Sequence, residues 1–125
     1  MARFNNEKPS IVESDINFIS EKTEIEGTIS LDAIAKVYGT IKGEIRAKKG
    51  SIITLCETSM VEGNIFADTI IIEGFVRGEI SASTKVVLSN SARVIGNIHT
   101  PCLKLEFGAY FEGRALTSGQ QSQSV

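Results

Sequence analysis

Apolar and polar residues alternate along most of this 125-residue chain. Between Ile70 and Ala82 the even positions Ile70, Ile72, Gly74, Val76, Gly78, Ile80 and Ala82 are all apolar or glycine, while Glu73, Arg77, Glu79 and Ser81 take odd ones. A two-residue period of this kind predicts a strand with one buried face. Its central piece, Val76-Arg77-Gly78-Glu79-Ile80, recurs as Ile25-Glu26-Gly27-Thr28-Ile29, Ile41-Lys42-Gly43-Glu44-Ile45, Val61-Glu62-Gly63-Asn64-Ile65 and Val94-Ile95-Gly96-Asn97-Ile98. A looser sixth copy is Phe111-Glu112-Gly113-Arg114-Ala115. The repeat glycines are separated by 16, 20, 15, 18 and 17 residues. No single unit of this size can bury its own apolar face, so the copies must stack. The expectation is all-β: a single-domain β-helix, or solenoid, of about six coils, roughly 30 Å long at about 4.8 Å per stacked strand.

The parity of the apolar positions changes along the chain. Inward residues are odd from Ile25 to Ala67, even from Ile70 to Ile98, and odd again from Leu103 to Ala115. A one-residue slip reverses which face is buried. Each flip therefore belongs at a corner, and the two corners predicted to absorb the extra residue are Asp68-Thr69 and Thr100-Pro101-Cys102. Extending the alternation into the last coil turns Phe107 and Phe111 inward and Tyr110 outward.

The domain expected from this pattern covers residues 16–116. Residues 1–15 are polar, hold Pro9 and lack alternation, which reads as a flexible arm, and the Ser- and Gln-rich stretch 117–125 reads as a disordered tail. The start of the chain has no apolar run of the secretory type. Cys56 and Cys102 lie in different repeats and form no close-spaced metal pair, which suits a reducing compartment while leaving a single disulfide open. A cytoplasmic protein is expected. The net charge of −2 offers no general attraction to phosphate, so no nucleic acid partner is expected.

Outward positions carry the remaining candidates. The residues before the repeat glycines run Glu26, Lys42, Glu62, Arg77, Ile95 and Glu112, and their first four alternate in sign, as neighbouring strands in register favour. Arg46 belongs to a basic group with Lys36, Lys42, Lys48 and Lys49; Phe66 and Ile95 are apolar at outward positions. Arg46, Phe66 and Ile95 are therefore the candidates for a partner surface. His99, the one histidine, shares an outward column with Ser30, Arg46, Phe66 and Ser81, which suits a solvated side chain better than a general base.

The recurring Val-x-Gly-x-Ile units, the segment from Val37 to Ile45 and the ending Gly108-Ala109-Tyr110-Phe111-Glu112-Gly113-Arg114 resemble the bactofilins. The resemblance implies a right-handed β-helix with a triangular core that polymerises end to end, with no nucleotide or other cofactor, often at the inner membrane. It also implies that a phenylalanine of the last coil is needed for polymerisation, and Phe111 is the match. Bactofilin arms that touch membrane usually begin Met-Phe. Here Ala2 and Arg3 intervene before Phe4, a departure from that start; a peripheral membrane contact of the arm, as the resemblance implies it, would fall to Met1, Arg3 and Phe4. The partners implied are the protein itself, cell-wall enzymes and shape or polarity proteins.

Physics makes polymerisation plausible independently. Each end of a β-helix leaves a turn of unpaired backbone groups and a cut face of its core, and such an edge recruits another. Phe107, Tyr110 and Phe111 gather three of the eight aromatic residues within five positions of the last coil, and they form the candidate polymerisation interface. The reading adopted is a self-polymerising cytoskeletal scaffold and no enzyme. The alternatives are a left-handed β-helix acyltransferase-like enzyme, suggested by the spacing of six between Ile25, Leu31 and Val37, and a monomeric binding module. The acyltransferase spacing meets Gly43 at its next step, and the repeats vary in length.

Overall fold

The computed structural model describes residues 16–117. Its ten strands are β1 (Ile16–Ile19), β2 (Glu24–Leu31), β3 (Ile34–Val37), β4 (Thr40–Ala47), β5 (Ile52–Leu55), β6 (Met60–Ile72), β7 (Phe75–Leu88), β8 (Arg93–His99), β9 (Leu103–Leu105) and β10 (Tyr110–Leu116). Every pairing is parallel, each strand lying on its counterpart one coil away. Two ladders result. The first joins β2, β4, the start of β6, the start of β7, β8 and β10. The second joins β1, β3, β5, the end of β6, the end of β7 and β9. The strands β6 and β7 reach 13 and 14 residues because they run through both ladders.

In the first ladder the repeat glycines align as one column, Gly27, Gly43, Gly63, Gly78, Gly96 and Gly113. All six have positive φ, from 118° to 142°, a region that side-chain-bearing residues avoid. The chain turns a corner there within a continuous ladder. That corner divides the first ladder into two sides, and the second ladder supplies a third, so the coil is three-sided.

The uneven repeat spacing comes from the corners. Between Leu55 and Met60 the chain spends four residues, closed by the Ser59 N–H donating to the Cys56 carbonyl at 2.8 Å. Between Ile72 and Phe75 it spends only Glu73 and Gly74. The tight turn nests against the wide one below: a Cβ on Gly74 would lie 2.4 Å from the Cys56 carbonyl oxygen. At another corner Lys48-Lys49-Gly50-Ser51 is wide, whereas Asp68 alone separates Ala67 from Thr69, and the β6–β7 register shifts there. This is the first parity flip, falling between buried Ala67 and buried Ile70. The second falls between buried Thr100 and half-buried Leu103, across Pro101.

Asp68 also ties its corner to its neighbours. Its carboxylate accepts the Gly50 N–H from the coil before and the Ser83 hydroxyl from the coil after. Those two donors, the Ser83 hydroxyl foremost, hold the Asp68 carboxyl below the ordinary aspartate range.

The core is a set of aliphatic columns. Val37, Leu55, Ile72 and Leu88 stack through the second ladder; Ile41, Val61, Val76 and Val94 stack on one side of the glycine corner, and Ile45, Ile65, Ile80 and Ile98 on the other. All twelve are fully buried. Each such side chain contributes on the order of 1.5–3 kcal/mol by leaving water, and in-register stacking of β-branched residues keeps the column filled.

Candidate functional site

The columns stop at both ends of the stack. At the N-terminal end Ile19, Ile25, Ile29 and Leu31 pack on the core from one side only and stay half-buried. At the C-terminal end Leu103, Ala109 and Phe111 do the same, and Leu105 is 39% exposed. Among the described residues β1 and β2 pair only towards β3 and β4, and β9 and β10 only towards β7 and β8. The outer backbone edge of each terminal coil thus carries N–H and C=O groups without strand partners, beside an apolar cross-section. Chemically this arrangement offers hydrogen-bonding groups and apolar area to a further layer of strand.

Phe111 sits on Val94 in the parallel register and turns towards the core, continuing the Val94 column. Tyr110, its neighbour, faces outward and is 49% exposed. The Tyr110 hydroxyl donates to Glu112 Oε1 at 2.7 Å, which raises the phenol pKa above its ordinary value because deprotonation would face a carboxylate. Phe107 departs from the inward placement expected of it. It lies in the turn between β9 and β10, closed by the Ala109 N–H donating to the Glu106 carbonyl at 3.0 Å, and its side chain is 99% exposed. Alternation holds only where the backbone is extended, and this turn interrupts it between Leu105 and Ala109. The three aromatic residues nevertheless share the terminal coil.

The outward column expected for His99 is present: Ser30, Arg46, Phe66, Ser81, His99 and Leu116 lie in register. Within it the Arg46 guanidinium stands 4.8 Å from the Phe66 ring centroid and reaches Glu44 Oε1 at 3.1 Å. Arg46 and Phe66 are therefore one patch. Ile95 is not part of it, because it stands between Arg77 and Glu112 on the far side of the glycine corner. Phe66 and His99 line a shallow corner groove with Ala67, Ala82, Pro101 and Leu116. Among the described residues no group of three or more His, Cys, Asp or Glu side chains is placed to hold a metal ion. Both cysteines are free, Cys56 buried and Cys102 exposed. Met1, Arg3 and Phe4 lie outside the described residues. No described helix is long and apolar enough to cross a membrane.

Two features escaped the sequence reading: Phe18 on the N-terminal coil, 63% exposed, and half-buried Asp68 as the clasp of three corners. Phe18 could have been found from its outward parity next to Asn17 and Ile19. The Asp68 contacts depend on two residues 18 and 15 positions away, and no local pattern announces them.

Residues 17–115 match the family model for bactofilin, described as polymer-forming cytoskeletal. The chain is 36% identical over 95 residues to bactofilin BacO of Myxococcus xanthus, covering 76% of this chain and 74% of BacO. It is 30% identical over 90 residues to bactofilin BacP of the same organism, covering 72% of this chain and 37% of BacP. Its fold is similar to the solid-state NMR structure of the cytoskeletal bactofilin BacA, with a TM-score of 0.75, 30% identity, and coverage of 85% of this chain and 99% of that one. With these matches and its six-coil β-solenoid, the chain belongs to the bactofilin family of polymer-forming cytoskeletal proteins.

Proposed function

We propose that this bactofilin assembles by end-to-end stacking of its β-helices, without nucleotide, into filaments that serve as a scaffold for cell-wall, shape or polarity proteins. The observation that carries the reading is the pair of open ends: half-buried Ile25, Ile29 and Leu31 at one and half-buried Phe111 at the other. A docked copy continues the parallel hydrogen-bond ladder and completes the burial of these side chains, so a small contact area becomes a firm one. Phe111 is the central apolar contact, with Phe107 and Tyr110 at its rim. Polymerisation also multiplies every outward feature, which suits the Arg46–Phe66 patch to multivalent partners.

The test is negative-stain electron microscopy and sedimentation of the full chain beside Phe111→Arg, in buffer free of nucleotide. Wild type is expected to form long thin filaments and the variant small folded particles with an unchanged β-sheet circular dichroism spectrum. A Phe111→Arg protein that still sediments as filaments overturns the end-docking assignment.

A further inference from the structure

The second ladder turns two columns of side chains to solvent. One runs Ile34, Ile52, Thr69 and Lys85, with Cys102 directly ahead of β9. The other runs Phe18, Lys36, Thr54, Ile71, Val87 and Lys104. Neither column contains a carboxylate. The two sides built on the first ladder both do: Glu24, Glu26, Glu62 and Glu112 on one, Glu44 and Glu79 on the other. Phe18 is 63% exposed, and Ile34 and Ile52 are each 37% exposed.

The borders of this face differ. Beyond Leu55, Ile72 and Leu105 the corner carries Glu57, Glu73 and Glu106. The opposite corner carries Lys48 and Lys49 with Asp32 and Asp68 and so has no net charge: Asp32 pairs with Lys48 at 3.5 Å, and Asp68, which accepts from the Gly50 N–H and the Ser83 hydroxyl, offsets Lys49.

We propose that this face lies against an anionic lipid bilayer, rolled towards the Lys49 corner so that the glutamate corner lifts away. The face is a flat parallel sheet, so its partner must be flat rather than a segment seated in a groove. Three lysines and no carboxylate select a negative surface. The interleaved Phe18, Ile34, Ile52, Ile71 and Val87 suit a headgroup boundary, where apolar side chains and lysines are both accommodated, better than nucleic acid phosphates. One copy presents only about 300 Å², far below what a stable protein interface buries. The contact is therefore strong only when many copies are aligned, and in this it rests on the end-to-end polymer proposed above. It is a different surface from Met1, Arg3 and Phe4.

Cys102 provides the test, because it is exposed on this face while Cys56 is buried. The full chain is labelled at Cys102 with an environment-sensitive fluorophore and mixed with vesicles of phosphatidylcholine alone or with phosphatidylglycerol added. Electron microscopy of the same samples records the polymer, so its loss is not mistaken for loss of lipid contact. The expected result is flotation and a blue-shifted emission only with phosphatidylglycerol. Lys36→Gln, Lys85→Gln and Lys104→Gln combined should weaken flotation at least about tenfold, since each lysine near an anionic surface is worth about fivefold. Glu57→Gln, Glu73→Gln and Glu106→Gln combined should strengthen it. Flotation with an unshifted Cys102 label would mean that another part of the chain holds the lipid, and would overturn the proposal. A blue shift on polymerisation without vesicles would overturn it too, by making the face a contact between copies. Flotation that ignores phosphatidylglycerol or survives the lysine substitutions has the same consequence.

Discussion

Gly63 packs so closely over Gly43 that a Cβ on Gly63 would lie 1.7 Å from the Gly43 carbonyl oxygen. The obstacle is backbone, not a side-chain tip that can rotate away. The same relation holds up the column, with Gly78 over Gly63 at 1.9 Å and Gly113 over Gly96 at 1.7 Å. Gly27, at the N-terminal end, has positive φ, but a Cβ placed on it would meet nothing within 4 Å. These residues therefore separate two costs that usually come together, strained backbone and close approach. Gly27→Ala should lose about 1–3 kcal/mol from backbone strain alone. Gly63→Ala should lose more than about 3 kcal/mol, because the coils must also part. Urea unfolding of both in a Phe111→Arg background, where polymer does not add stability, gives the comparison; equal losses would show that the close approach is relieved at no cost.

Asp68 makes stability depend on acid in a defined direction. Its folded pKa is depressed, so its contribution is fully present above the unfolded value of about 3.9 and is lost as pH falls through the lower folded value. Asp68→Asn keeps the shape and removes the titration. Thermal melts between neutral pH and pH 2 should show a shallower acid decline for Asp68→Asn than for the parent chain. Parallel declines would mean that the Gly50 and Ser83 contacts do not favour the charged form.

Burial and assembly should separate in the remaining substitutions. Ile65→Ala opens a space in a fully buried column and should cost about 2–5 kcal/mol of folding free energy. Phe107→Ser removes a ring that touches solvent almost entirely and should change folding by less than about 0.5 kcal/mol. On the docking model it should still raise the concentration at which filaments sediment. If Phe107→Ser polymerises like wild type, the interface is confined to Phe111 and its inward neighbours.

Much of this architecture was legible in the sequence because a β-helix repeats local rules. The two-residue period identifies inward residues, so Ile41, Ile65 and Val76 could be assigned to the core without coordinates. The glycine spacing counted the coils, and the parity flips located Asp68 and Pro101 as the corners that absorb an odd residue. The inward placement of Phe111 was legible for the same reason: it stands on an extended strand two residues before the last repeat glycine.

Only the tertiary structure decided what depends on neighbours in space. Phe107 reads as inward because alternation was carried through a turn, where successive side chains no longer oppose one another. Arg46, Phe66 and Ile95 look alike as outward positions, yet the glycine corner puts Ile95 on a different side of the prism. The face that lacks carboxylates emerges only after three coil sides are separated and six coils are laid in register, since along the chain its lysines lie 49 and 19 positions apart. Alternation is a property of single strands and is written in the sequence. Which outward residues share a surface is set by corner length and inter-coil register, which are properties of the stack.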